Sequence, residues 1–200
     1  MDRKTFFNEM ASGWDERFYT DEIKEHLKSI VSLFNLIKGS RLLDVGSGTG
    51  GLIPYLIDAA GPDGTIHALD FAEEMIHIGK EKFHGQKRVI FHVASVESLP
   101  FVDEFFDYVI CFGALPHFGD KEHALKEMRR VLKTQGHLII AHALSSEEIK
   151  NHHRKAEPVK YDCLPEEPKM RLLLHNAGFS IVRLFDQQGM YLCEALKGNN

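Results

Sequence analysis

The stretch Arg41-Leu42-Leu43-Asp44-Val45-Gly46-Ser47-Gly48-Thr49-Gly50-Gly51 decides how this chain is read. Leu42, Leu43 and Val45 make a short apolar run of the kind that becomes a buried strand. The glycines that follow permit a turn that side chains would block, and residues 52–59 read as a helix. Such a corner lets backbone N–H groups approach a ligand closely at the C-terminal edge of a parallel sheet. Gly46, Gly48 and Gly51 satisfy the literal pattern G-x-G-x-x-G, and an acid, Asp70, follows about 20 residues on, as in dinucleotide sites. Asp44, two residues before the first glycine, points elsewhere. A fixed negative charge beside a pyrophosphate dianion weakens binding, whereas a ligand with a cationic end is held by it.

The rest of the chain suits one ordinary folded domain, with 200 residues and a hydrophobic content of 44%. A net charge of −5 argues against a broad nucleic-acid-binding surface. The first residues, Met1-Asp2-Arg3-Lys4-Thr5-Phe6-Phe7, hold no long apolar run, so no signal peptide is expected. No stretch approaches the roughly 20 apolar residues of a membrane span. Cys111, Cys163 and Cys193 are widely spaced with no C-x-x-C pair, which leads us to expect a cytoplasmic protein.

Outward from the glycine stretch, strands and helices alternate. Strands are expected at Thr65 to Asp70, Arg88 to Ala94, Phe106 to Phe112 and Gly136 to Ala143. The fourth strand is almost continuously apolar, as a buried parallel strand is. Helices are expected from Glu73 to Phe83, Asp120 to Leu132 and Lys169 to Asn176. Before the glycines, a helix from Asp2 to Ser12 ends at Gly13. A second runs from Asp21, read as its N-cap, to about Leu36, with Ile23, Leu27, Ile30, Val31 and Phe34 at helical spacing. Two further strands flank the turn Asp186-Gln187-Gln188-Gly189 as a hairpin. This order predicts an α/β fold with helices on both faces of a mostly parallel sheet. We divide it into a helical cap (1–38), a cofactor-binding core (39–143), a helical insertion that caps the substrate (144–177) and the hairpin (178–197).

Leu43 to Gly50 resembles the first motif of the class I S-adenosylmethionine-dependent methyltransferases, specifically the small-molecule branch that acts on ubiquinone and menaquinone precursors. The resemblance covers about Leu42 to Ile140. It implies a Rossmann-like, doubly wound, seven-stranded sheet with a C-terminal antiparallel hairpin, and S-adenosylmethionine as cofactor. It also implies that Asp44, Gly46, Ser47, Gly48, Thr49 and Gly50 cradle the cofactor and that Asp70 takes the ribose hydroxyls, although Asp70 also suits an N-cap. Phe71 and Met75 border the adenine. Where the family often has an Asp that reads the adenine amino group, this chain has Ser95, followed by Val96. Phe112 and Gly113 at the fourth strand tip meet the methionine part. The absence of a Pro-Pro pair argues against the DNA- and glutamine-methylating branches.

Methyl transfer from a sulfonium needs a nucleophile in line, water excluded, and a proton acceptor when the nucleophile is not ionised. His117, just past the fourth strand tip, is the candidate base or, equally, a packing histidine. Trp14, the one tryptophan, either packs the N-terminal helix onto the body or faces the cofactor or substrate. His152 and His153 are candidate substrate residues. With His142 and Cys163 they offer imidazole and thiol ligands of the kind zinc takes, but no compact ligand spacing supports a metal site. A non-catalytic cofactor-binding protein remains an alternative. So does a nicotinamide-dependent reductase, although no tyrosine here has the lysine four residues on that a short-chain reductase needs. The acceptor and the oligomeric state are open.

Overall fold

Seven strands form one sheet in a computed structural model that describes residues 2–198 apart from Ala156 and Pro158. They are β1 (Arg41–Val45), β2 (Thr65–Asp70), β3 (Val89–Val93), β4 (Phe106–Phe112), β5 (Leu132–His142), β6 (Phe179–Gln187) and β7 (Met190–Lys197). Their spatial order is β3-β2-β1-β4-β5-β7-β6. The first five pair in parallel, and β7 runs antiparallel to both of its neighbours, as expected. Parallel neighbours need crossovers, and α4 (Ile53–Ala60), α5 (Glu73–Lys82) and α6 (Lys121–Val131) supply helices for three of them. The remaining helices are α1 (Arg3–Met10), α2 (Trp14–Phe18), α3 (Asp21–Ser32), α7 (Ser146–His153) and α8 (Glu167–Asn176).

Alternation along the strands divides the core between the two sheet faces. Leu43, Val45, Val109, Cys111, Leu138 and Ile140 pack with Leu125 and Met128 of α6 and with Met170 and Leu174 of α8. Leu42, Ile66, Tyr108, Ile110 and Ile139 pack with Leu27 and Ile30 of α3 and Leu56 of α4. Each such Leu or Ile is worth about 1.5–3 kcal/mol of burial, so the sheet and its register are held firmly. That register sets Asp44 beside Ala68 of β2 and Ile110 of β4. From β1 the chain builds outward to β2 and β3, then returns to the other side at β4. The reversal opens a crevice at the strand tips, where Asp44 and the glycines lie.

Some local expectations needed correction. The helix expected over 2–12 stops at Met10, and after a short 3-10 turn the chain re-enters a helix at Trp14, so Gly13 bends the segment without ending it. The N-cap of α3 is Thr20, whose hydroxyl accepts from the Ile23 N–H, and Asp21 is the first helical residue. That helix ends at Ser32 because Asn35 takes a left-handed conformation, φ 51°. The fifth strand starts at Leu132. Its pairing with β4 shifts between Phe106 and Tyr108, and Gln135 has a positive φ of 61°, so residues 133–135, ahead of the expected strand start at Gly136, form an irregularity inside the strand. The helix α7 was not foreseen as such. Ser145 caps it with a reciprocal pair, its hydroxyl accepting from the Glu148 N–H and the Glu148 carboxylate from the Ser145 N–H.

Candidate cofactor and catalytic site

The glycine corner is held to β2. The N–H groups of Gly46 and Ser47 both donate to the Leu69 carbonyl, at 2.8 and 3.0 Å, and Gly48 N–H donates to Asp70 Oδ2 at 2.9 Å. Gly46, Gly48 and Gly50 have φ of 74°, 53° and 85°, a region that side chains avoid. Gly46 is also confined in space, because a Cβ there would lie 2.3 Å from the Ala114 Cβ just past β4. Gly51, the third glycine of the literal dinucleotide pattern, has no such φ. It is small because the Tyr19 ring lies on it, 2.0 Å from where its Cβ would be. The glycines that the turn needs for their torsion are therefore Gly46, Gly48 and Gly50.

Beneath it, Asp44 is 1% exposed. Burial, with the charge of Asp70 nearby, pushes its pKa up from the ordinary 3.8 to about 7. Its Oδ2 accepts no hydrogen bond. Among the described residues, four buried side-chain atoms lack a partner: Asp44 Oδ2, Ser47 Oγ, His142 Nδ1 and Tyr191 Oη. The first two belong to the glycine corner, and His142 and Tyr191 face each other in register at the tip of β5. Orphaned polar atoms are costly, and two of the four, Asp44 Oδ2 and Ser47 Oγ, belong to the one corner at the strand tips, which makes it the candidate site for a polar ligand. Asp70 is also buried. Its oxygens accept from the Gly48 N–H and, at 2.9 Å, from the Ala72 N–H. The N-cap of α5 is Ala72, with no side-chain cap, so Asp70 is not itself the N-cap and instead links the N–H of Ala72 at the helix start to the glycine turn.

The N-terminal helices cover this corner. Trp14 Nε1 lies 3.7 Å from where a Gly48 Cβ would be, and Met75 Sδ lies 3.9 Å from it. Phe7 packs edge-on against Trp14, Phe71 and His117, with centroids at 5.8, 5.9 and 5.2 Å. Polar contacts fasten the cap: Asp15 accepts from the Thr49 hydroxyl and from Lys82, and Lys4 pairs with Glu73. Trp14 thus both packs the cap and reaches the glycine corner. Tyr19, Asp15 and Phe7 escaped the sequence reading, since their partners lie far along the chain.

His117 follows the β4 tip in a short 3-10 turn, Leu115–His117. Its Nδ1 is 2.8 Å from Asp162 Oδ2, and Arg3 of α1 grips the same carboxylate, Nη2 to Oδ1 at 2.5 Å. His153 Nδ1 reaches the Asp162 carbonyl at 2.7 Å. His142 stacks on Phe112 at 6.1 Å and packs beside Gly113. Burial and the other histidines lower its pKa to about 3. His152 is exposed, 5.9 Å from the His153 ring. Ser95 is also exposed, and its hydroxyl oxygen accepts from the Glu97 N–H. Val96 is buried in the core under α6. Among the described residues, no three His, Cys, Asp or Glu side chains are grouped to hold a metal ion. No helix among them is long and apolar enough to cross a membrane.

Comparison with known proteins agrees with the geometry. The family profile described as a methyltransferase domain matches residues 36–189. The demethylmenaquinone methyltransferase of Staphylococcus epidermidis is 34% identical over 138 residues, 68% of this chain and 57% of that protein. The enzyme of the same name from Bacillus cytotoxicus is 39% identical over 114 residues, 56% of this chain and 48% of that one. The chain thus spans about half the length of the curated relatives it matches. The crystal structure of a SAM-dependent methyltransferase from Aquifex aeolicus superposes with a TM-score of 0.75, covering 98% of this chain and 100% of that one. At 23% identity that likeness speaks to the fold alone. With the profile spanning most of its length, the chain belongs to the methyltransferase-domain family, within the class I S-adenosylmethionine-dependent methyltransferases.

Proposed function

We propose that this chain transfers a methyl group from S-adenosylmethionine to a small-molecule acceptor by in-line displacement. The observation that carries this reading is Asp44, a buried carboxylate with one oxygen unpartnered at the fold's reversal point. Such a group is destabilising until a cation reaches it. The corner fits the cofactor in a second respect, because Gly46 leaves no room for a side chain between backbone and β4 tip.

S-adenosylmethionine, when bound, supplies a methyl group on a positively charged sulfur beside an ammonium group. Asp44 ionises and faces that cationic end. Gly46, Ser47, Gly48, Thr49 and Gly50 let the backbone come close. Asp70 already accepts two N–H bonds, yet a carboxylate has about four acceptor positions, so it can take the ribose hydroxyls as well. Phe71 and Met75 flank the adenine, Ser95 and Val96 border it, and Phe112 and Gly113 meet the methionine portion. Trp14 and Phe7 exclude water. His117 receives the proton of the acceptor, with His152 and His153 on the substrate side. The curated relatives are named for demethylmenaquinone, which makes the reduced, hydroquinone form of a demethylated quinone, with O–H groups for His117 to deprotonate, the first acceptor to try. The unbridged Cys111, Cys163 and Cys193 fit a reducing cytoplasm.

Calorimetric titration with S-adenosylmethionine tests the reading. Micromolar binding that weakens at least tenfold in Asp44→Asn and in Asp70→Ala is expected. Binding of NADH with none of S-adenosylmethionine would sink it.

A further inference from the structure

We propose that Asp162 and Arg3 are positioning residues that prepare His117 as a base, and that they do so only while the N-terminal helix α1 is docked. The inference rests on the methyl-transfer reading and adds to it a coupling between cap and chemistry.

Asp162 lies between α7 and α8, with its side chain 4% exposed. Its Oδ2 meets His117 Nδ1 at 2.8 Å. The Arg3 fork holds both oxygens, Nε donating to the same Oδ2 at 3.1 Å and Nη2 to Oδ1 at 2.5 Å. Burial alone would raise the Asp162 pKa, but the hydrogen bonds from His117 and Arg3 outweigh it and hold the pKa at about 2. Asp162 is therefore a permanent acceptor. A carboxylate against Nδ1 keeps the proton on that nitrogen and leaves the Nε2 lone pair free, the arrangement a general base needs. The protonation state agrees. Burial lowers the His117 pKa, His153 and Arg3 act in the same direction, and Asp162 opposes them, so the ring is neutral near pH 7.

The link to the cap is in the same contacts. Arg3 and Phe7 belong to α1, and both touch this pair: Arg3 through the carboxylate, Phe7 through its ring 5.2 Å from that of His117. When α1 lifts, Asp162 loses its bidentate partner and His117 loses a wall. A planar guanidinium fork fixes a carboxylate in a way that water does not. The base is thus oriented only in the closed state, after the site is covered.

The resulting step balances. A proton passes from an acceptor O–H or N–H to His117 Nε2. The freed electron pair forms the new bond to the methyl carbon, and the carbon–sulfur pair returns to sulfur. The imidazolium faces Asp162 and gives its proton to solvent when the cap opens. Acceptors whose oxygen or nitrogen arrives protonated are the class such a base serves.

Nitrogen-15 NMR of histidine-labelled full chain tests this without any acceptor. In the parent protein the His117 ring is expected almost wholly in the Nδ1–H form. In Asp162→Asn that population falls to about half, because the amide can donate as well as accept. The His117 titration midpoint moves to lower pH, since the charge that favours its proton is gone. The groups facing the ring are Arg3 from α1, Asp162, His153 from α7 and His142 from β5, and only Asp162 changes. In Arg3→Gln, amide protection across residues 4–10 falls about tenfold and the His117 tautomers mix; Arg3→Lys recovers part of both. Should Asp162→Asn fail to fold, the partly exposed Arg3 carries the same readout. A tautomer and midpoint that do not respond in Asp162→Asn, or in Arg3→Gln, overturn the proposal. Calorimetry of the parent protein with S-adenosylmethionine is the separate arm. Silence there removes the methyl-transfer reading, whatever the histidine signals show.

Discussion

Cofactor affinity should depend steeply on pH, and Asp44 sets the window. Without ligand its pKa is about 7. With an ammonium or sulfonium facing it, the ionised form is favoured and the pKa falls toward the ordinary carboxylate range. The folded, ligand-free protein therefore holds the proton below about pH 7 and must release it on binding. Affinity is flat above that pH and declines by up to tenfold for each pH unit below it. From the plateau above pH 7 down to pH 5 the loss is about 100-fold, or roughly 2.7 kcal/mol, half a logarithmic unit or less of it above pH 7. Calorimetry in buffers of different ionisation enthalpy should show about one proton released near pH 6. The same carboxylate works against the ligand-free fold. Raising it from 3.8 to about 7 means that stability is fully present below pH 4 and lost as pH rises through 7, by roughly 4 kcal/mol. Asp44→Asn should accordingly melt higher than the parent at pH 8 without ligand, bind S-adenosylmethionine weakly, and lose the pH slope. A variant that keeps the parent's slope would refute the reasoning, as would parent affinity that stays level from pH 5.5 to 8.

Two further outcomes follow from geometry. Gly46→Ala drives a Cβ to 2.3 Å from the Ala114 Cβ at a φ of 74°, so thermal melts should show a loss of roughly 2–4 kcal/mol. The Ala114→Gly double variant should regain the steric part and leave the backbone strain. Ser145→Ala removes one arm of the capping box on α7 and should cost about 1 kcal/mol, read as faster amide exchange across 146–153 with cofactor affinity unchanged.

The sheet was legible because its strands are apolar runs separated by turns, and the glycine corner because Asp44 breaks an otherwise apolar strand. What escaped the reading has no local signature. Asp162 sits 45 residues from His117 and 159 from Arg3, and nothing in its neighbourhood marks it as their meeting point. Gly51 completes the literal dinucleotide spacing with Gly46 and Gly48, because a pattern of spacings cannot tell a glycine needed for its torsion from one needed for its size. Its ordinary φ and the Tyr19 ring packed on it separate it from the others. Sequence places the start of β5 at Gly136, four residues late, because Thr134, Gln135 and Gly136 look like a turn, whereas Leu132 ahead of them already pairs with Phe106 and they fall in the register shift that follows.

The placing of β7 between β5 and β6 bears on how the molecule assembles during synthesis. Strands β1 to β5 can pair with one another as they emerge, but among the described residues β6 has β7 as its one strand neighbour. Residues 179–187 must therefore wait, made but undocked, until 190–197 arrive to enter the sheet beside them. Until then β5 presents an unpaired edge carrying Leu138, Ile139 and Ile140, a template for stray strands. The hairpin turn at Gly189 is the safeguard, since it delivers both strands almost together and keeps the vulnerable interval short.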